Sequence, residues 1–382
     1  MIQKLGVGIV GYGFIGKVHT YAYLNLPLFY DPPPARIKLV GVCTAHKETA
    51  EKARKEAGFE FATTDYRELL VRDDIHIINC CTPNYLHRKL LIDALKAGKH
   101  IYCDKPLALN LKEAKEILEA AKKSKVVHQM TFEYRFIPAM MRAKQLIEEE
   151  FLGRVFHFRA CYLHSGYIDP ERPMSWRLDR DKAGGGALFD LGSHVLDLVR
   201  YLLGECRAVF ATTRTFIKER PLSRGSSKKA SVKVDDLVLM QLEMESGALG
   251  TVEASRLATG TNDELRIEIY GDKGAIYFNL MDPNWLWIYD TRDESEPIGG
   301  RRGFKRIETV QRYPEPAVLP GPKFAIGWMR YHIASQYEFI RRIVSGQKGN
   351  PDFFDGYEVQ KITEAALLSA ARKGWVDLSK LE

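Results

Sequence analysis

No Cys-x-x-Cys pair and no His-Glu-x-x-His run occurs in this chain of 382 residues, so neither a dithiol redox motif nor a zincin-type metal centre is expected, and the metal expectation is none. Of only six cysteines, Cys43, Cys80, Cys81 and Cys103 lie in or at the ends of apolar runs, as small core residues of a reducing compartment do. Long uncharged stretches are also lacking, and with them any membrane-crossing helix. The opening Met1–Leu5 passes into a strand pattern without the charged and apolar regions of a secretory leader, so a cytoplasmic protein without membrane partners is expected. Internal repeats and low-complexity segments are absent as well. Charge of one sign is in modest excess, with 56 Lys and Arg against 49 Asp and Glu, a net +7. The lysines alternate with glutamates over 48–60 and 112–125, as on solvated helix faces, which argues against nucleic acid. Residues 218–233, with Lys218, Arg220, Arg224, Lys228, Lys229 and Lys233, read as a mobile basic loop.

What is present fits a two-domain protein, since 382 residues exceed what one core usually organises. Up to about Met130, β-branched runs (5–10, 37–43, 75–81, 100–103, 126–130) alternate with helical patterns (47–57, 85–97 and one from Asn110). Alternation of this kind specifies a doubly wound parallel sheet, placed at 1–131. Residues 132–382 form the second domain: a helix at 138–150, strands at 154–163, 209–216, 234–245, 248–256, 264–270 and 275–279, a loop at 290–323, and helices at 326–344 and 357–372. Runs of strands joined by Ser246-Gly247 and Gly271–Gly274 turns imply an α+β domain with an open, mainly antiparallel sheet.

Gly11-Tyr12-Gly13-Phe14-Ile15-Gly16 follows the first strand and opens a helix, the setting in which glycines let backbone approach a pyrophosphate. The carboxylate that would hold a ribose 2′-hydroxyl is missing after the second strand. Thr44, His46 and Lys47 stand there instead, a hydroxyl and cationic or titratable groups suited to a 2′-phosphate, so NADP or dual use is favoured over strict NAD; alternatively Lys47 only begins a solvated helix. Thr82-Pro83-Asn84, with His87 three residues on, and Asp104-Lys105-Pro106 follow two further strands at the carboxyl edge where such sheets bind ligands. Asn84 is equally readable as a helix cap and His87 as a first-turn residue; Lys105, in a turn stiffened by proline, is read as reaching over the ligand.

After Gly184-Gly185-Gly186, a helical pattern over 187–203 sets Asp190, His194 and Asp197 on one face. The glycines allow close approach of another backbone or of a ligand. Trp176-Arg177 and Tyr134-Arg135-Phe136 are open to two readings, contact with a polyol or carboxylate, or packing. Ser193 lacks the strand-turn-helix elbow of a hydrolase nucleophile.

In order and spacing these pieces, with Asp355-Gly356 near the end, resemble the Gfo/Idh/MocA oxidoreductases over nearly the full length, with Asp104 where that family usually has glutamate. The resemblance implies a Rossmann domain, a C-terminal sheet often used in homo-oligomers (dimers or tetramers), and NAD(P)-dependent oxidation of a sugar, inositol or related polyol. It makes Lys105, Asp190 and His194 the catalytic group. Two other functions compete with a dehydrogenase: redox-assisted elimination or glycoside cleavage on tightly held NAD, and a cofactor-binding regulator without chemistry.

Overall fold

The computed structural model describes Ile2 to Leu381 and divides into two compact units. The first comprises the chain up to Phe136 together with Tyr313–Gly321 and Gly327–Gln360. Its strands are β1 (Lys4–Val10), β2 (Arg36–Cys43), β3 (Phe61–Thr63), β4 (Ile77–Cys80), β5 (His100–Cys103) and β6 (His128–Met130), and its helices α1 (Phe14–Phe29), α2 (Lys47–Ala57), α3 (Arg67–Leu70), α4 (His87–Lys96) and α5 (Leu111–Lys122). The strands form one parallel sheet in the order β3-β2-β1-β4-β5-β6, the doubly wound arrangement expected from the alternation. Leu5, Val7, Ile9, Val42 and Ile77 are buried in its core. At the start of α5, the Asn110 side chain accepts from the Glu113 N–H at 3.0 Å and so caps the helix.

The second unit comprises Ile137–Arg312, Pro322–Ile326 and the chain from Lys361. It contains α6 (Pro138–Glu148), β7 (Val155–Leu163), α7 (Arg180–Ala183), α8 (Ser193–Leu203), β8 (Cys206–Arg214), β9 (Glu219–Pro221), β10 (Lys229–Ser231), β11 (Leu237–Met244), β12 (Leu249–Ser255), β13 (Glu264–Gly271), β14 (Gly274–Asn279), β15 (Trp285–Asp290), β16 (Lys305–Glu308) and β17 (Val376–Asp377). Nine strands form a sheet in the order β16-β15-β14-β13-β7-β12-β11-β8-β17, with β12 and β7 the only parallel pair. Burial alternates along them: Val238, Met240, Leu242 and Met244 are inside, while Leu239 and Gln241 face outwards. Val195, Leu196, Leu198, Val199 and Leu202 of α8 are buried within this unit.

Four expectations are corrected. The helix α9 (Trp328–Ser345) falls in the first unit, because Ile333, Phe339 and Ile340 join the core that holds Leu5, Ile9 and Val42, each contributing roughly 1.5–3 kcal/mol of burial. Tyr102 also donates to Ser335 Oγ at 2.7 Å, so the domain expected to end at 131 runs to Phe136 and regains chain later. The last helix, α10 (Phe353–Arg372), begins earlier than its pattern suggested. The loop expected at 290–323 contains β16, whose polar Lys305-Arg306-Ile307-Glu308 gives no strand signal; it pairs with β15, and the Arg306 guanidinium lies 4.5 Å over the Trp285 ring. The basic loop is a hairpin of β9 and β10, and Arg220 in it is buried, donating at 2.6 Å to the Tyr167 and Asp169 carbonyls.

Inside the first unit His19 is wholly buried, with Asn79 Nδ2 3.0 Å from its Nδ1. Burial pushes its imidazole down to about 3, against the raising effect of the Asn79 bond. A histidine lowered in this way binds its proton only in the unfolded chain between about pH 6.5 and that value, so it adds stability above that window and withdraws it below, at up to ~1.4 kcal/mol per pH unit. The urea midpoint should therefore fall as pH is lowered from about 6.5 towards 4, and His19→Gln should make the fall shallower. An unchanged slope in the variant would contradict this assignment.

Candidate active site

Parallel register aligns the last residues of five strands: Cys43 of β2 beside Val10 of β1, Val10 beside Cys80 of β4, Cys80 beside Cys103 of β5, and Cys103 beside Met130 of β6. The next residue of each strand is pinned to its neighbour. Gly11 N donates to Cys43 O (2.9 Å), Cys81 N to Val10 O (2.8 Å), Asp104 N to Cys80 O (2.9 Å) and Thr131 N to Cys103 O (2.8 Å). Every sequence motif of the first unit thus leaves the sheet from one row.

Gly11 has φ +93°, and a Cβ there would lie 2.4 Å from Cys81 O; at Gly16 it would lie 2.3 Å from Gly11 O. Gly13, the residue before α1, would meet nothing within 4 Å. Two glycines therefore let the protein close on itself, and the third leaves open space at a helix N-terminus that carries no acidic residue in its first turn. That is how a dinucleotide pyrophosphate is accommodated, so the residues present fit the cofactor. Phe14 is exposed and stacks on Trp328 at 5.8 Å, and Ile15 is half-buried behind it.

Beyond β2, Thr44 Oγ1 donates to His46 O at 2.9 Å and lies 2.6 Å from Thr49 Oγ1, while Lys47 is exposed on the first turn of α2. Thr82 and Pro83 are half-buried and Asn84 is buried in a tight turn ahead of α4. His87 is fully buried: Nε2 lies 2.9 Å from Thr82 O, and Nδ1 lies 3.1 and 3.3 Å from the carbonyls of Pro106 and Leu107. These partners are main chain, so the ring braces the motif loops and does not face a cofactor. Asp104 accepts the Lys105 N–H at 2.9 Å, and Lys105 is half-buried. Arg135 takes the packing alternative over the polyol contact, since its buried guanidinium bonds Asp355 (2.9 Å) and Asn350 (3.2 Å).

In the second unit a Cβ on Gly186 would stand 1.8 Å from Asp235 O, so the triple glycine serves close approach of another backbone. Asp235 is buried, and its carboxylate accepts the Gly186 and Leu188 N–H groups at 2.8 Å. The expected helix over 187–203 opens with one π-helical turn, Leu188–Gly192, before α8. Asp190 sits in that wide turn, a form that recurs at functional sites. His194 and Asp197 are buried on α8, and the His194 ring meets Tyr162 edge-on at 5.8 Å. Trp176 and Arg177 are half-buried, with the guanidinium 4.5 Å over the indole.

Sequence reasoning missed Arg256. It is buried, donates to Asp190 Oδ2 at 2.9 Å, lies 4.8 Å over the Tyr167 ring, and holds the candidate catalytic carboxylate in place. Its only sequence signal was a cation closing an apolar strand. Asp235, which caps the π-helical turn, was hidden because the Gly186 and Leu188 N–H groups it accepts from are distant in sequence.

Residues 5–132 match the model of an oxidoreductase family with an NAD-binding Rossmann fold, and residues 140–277 match that of a GFO/IDH/MocA C-terminal domain. Levoglucosan dehydrogenase of Pseudarthrobacter phenanthrenivorans is 39% identical over 392 residues, covering 100% of both chains. Myo-inositol 2-dehydrogenase of Thermotoga maritima is 29% identical over 289 residues, 75% of this chain and 79% of the relative. A solved levoglucosan dehydrogenase in complex with NADH and levoglucosan superposes with TM-score 0.93 at 40% identity, covering 98% of this chain and 99% of that one.

The glycine geometry separates fold from binding. Gly13→Ala should leave the melting temperature unchanged and weaken NADH binding about tenfold, ~1.4 kcal/mol, by fluorescence titration. Gly16→Ala should cost roughly 1–3 kcal/mol of stability, because its methyl has no room. Equal melting temperatures for the two variants would refute the division of labour.

Proposed function

The chain belongs to the Gfo/Idh/MocA oxidoreductases with their NAD-binding Rossmann fold, and on that footing we propose that it oxidises a secondary alcohol of an anhydro-sugar of the levoglucosan kind. It is an NAD-dependent dehydrogenase of a sugar or polyol. The observation that carries the narrower substrate is the end-to-end likeness to levoglucosan dehydrogenase in sequence and structure.

Bound NAD supplies the hydride acceptor. Oxidation of a carbinol also requires that its hydroxyl proton leave and that the developing alkoxide be stabilised. His194 is the general base, its imidazole sheltered beside Tyr162. The Lys105 ammonium orients the substrate oxygen and stabilises its charge. Asp190 tunes the charges of this group, and its pairing with Arg256 keeps its own oxygens oriented. Trp176 and Arg177 serve the sugar ring.

NAD is the expected physiological cofactor, with NADP accepted because Thr44, His46 and Lys47 present no carboxylate to a 2′-phosphate. The outward face of the nine-stranded sheet exposes Leu239 and Leu249 among charged residues, and it supports pairing of two copies.

Nicotinamide absorbance should rise when the protein is given NAD with levoglucosan, and more slowly with NADP. No turnover with anhydro-sugars but turnover with inositols would overturn the narrower substrate. Product without absorbance change would favour internally recycled NAD. Lys105→Ala should lower kcat about 10³-fold and His194→Ala about 10²- to 10⁴-fold, the latter most near neutral pH. Wild-type rates in both would defeat the mechanism. Light scattering after size exclusion should give a dimer or tetramer; a strict monomer would remove the sheet-pairing reading.

A further inference from the structure

Cys80, His87 and Cys103 form the one group among the described residues with a metal-like donor set, their sulfur and nitrogen atoms all within 4.8 Å of one another. A metal reading fails on the histidine. A ligating imidazole needs a lone pair aimed at the ion, whereas both ring nitrogens here face carbonyl oxygens: Nε2 that of Thr82 at 2.9 Å, Nδ1 those of Pro106 and Leu107 at 3.1 and 3.3 Å. A carbonyl oxygen only accepts, so both nitrogens must donate, and a ring that donates twice carries a positive charge.

A buried charge requires a nearby counter-charge. His87 is wholly buried, and the groups facing it are the thiols of Cys80 on β4 and Cys103 on β5, together with Asp104. Cys103 Sγ lies 3.8 Å from Nδ1 and donates its own hydrogen to Asp104 O at 3.2 Å. Cys80 Sγ lies 3.6 Å from the Thr82 hydroxyl, which can donate to it. Of the two sulfurs, the one left to carry negative charge is that of Cys80, and the Asp104 carboxylate, which accepts the Lys105 N–H, adds a smaller effect of the same sign.

We propose that His87 is a standing imidazolium, balanced by a Cys80 thiolate, that clamps the loop after β4 to the turn holding Lys105, and so acts as a positioning residue for that lysine. Electrostatics agree in direction. Burial is the largest single influence on His87 and lowers it, but the charge and hydrogen bond of Cys80, the Thr82 carbonyl and the Asp104 charge together outweigh burial and push it up to about 9. Burial likewise raises Cys80, and the Cys103 and His87 contacts more than reverse this. A neutral ring would release one side of the clamp, leaving a lone pair against a carbonyl oxygen. Lys105 lies between the two anchors, with its N–H on the Asp104 carboxylate and the next two carbonyls on His87.

The clamp rests on the reading of Lys105 as the catalytic cation, and its test keeps the two apart. Nitrogen-15 NMR of histidine-labelled protein with NAD bound should show both His87 ring nitrogens protonated near neutral pH, the signal being assigned by its loss in His87→Asn. Cys80→Ser should remove the counter-charge and turn His87 into a group that titrates at or below about pH 6.5. His87→Asn should lower kcat about 10- to 100-fold, the effect of a misplaced catalytic group, while the NADH dissociation constant changes by less than about threefold. One unprotonated ring nitrogen in the wild type, or an imidazolium unaffected in Cys80→Ser, would overturn the proposal. A protonated pair in a protein inactive on every polyol would leave the clamp standing and defeat only the assignment of Lys105.

Discussion

The in-register ending of the parallel strands is the constraint on which the nucleotide half of this protein depends. Because Cys43, Val10, Cys80, Cys103 and Met130 lie side by side, five segments leave the sheet together, and one main-chain bond ties each adjacent pair. A one-residue slip of β4 or β5 would turn Thr82 or Lys105 to the other face of the sheet. The glycine turn extends the same logic, since Gly11 and Gly16 let loops touch where side chains would hold them apart, and Gly13 leaves a gap at a helix N-terminus.

The second unit reaches precision differently. A broad sheet gives α8 a flat apolar support, and buried charges then fix what the sheet cannot. Asp235 caps the π-helical turn, Arg256 holds Asp190, and Arg220 gathers the carbonyls of the loop that leads to Trp176 and Arg177. Each is buried and bonded to groups distant in sequence, so removing one would leave a desolvated partner.

Much of this was legible in the residues. The parallel sheet followed from strand–helix alternation, and the antiparallel sheet from strands joined by short glycine turns. The dinucleotide turn followed from glycine spacing. What stayed hidden has common causes. β16 is polar because it is an edge strand stabilised by guanidinium–indole stacking, not by an apolar run. The membership of α9 in the nucleotide unit depends on contacts with β1 and β2 some three hundred residues away in the chain, which no local pattern reports. Arg135, Arg220 and Arg256 look alike in sequence, and only their buried partners show which brace the fold and which the site. His87 stayed open between a ligand contact and a first-turn helix residue, because its spacing from Thr82 was visible and the carbonyls of Pro106 and Leu107 were not.

Hydride transfer from a sugar carbinol is the central claim, and isotope transfer tests it most directly. Levoglucosan deuterated at its carbinol carbons should be incubated with the protein and NAD, and the recovered nicotinamide examined by proton NMR. The account predicts one deuterium on the reduced nicotinamide ring for each ketone formed. Ketone or other product formed with no deuterium on the nicotinamide would contradict it.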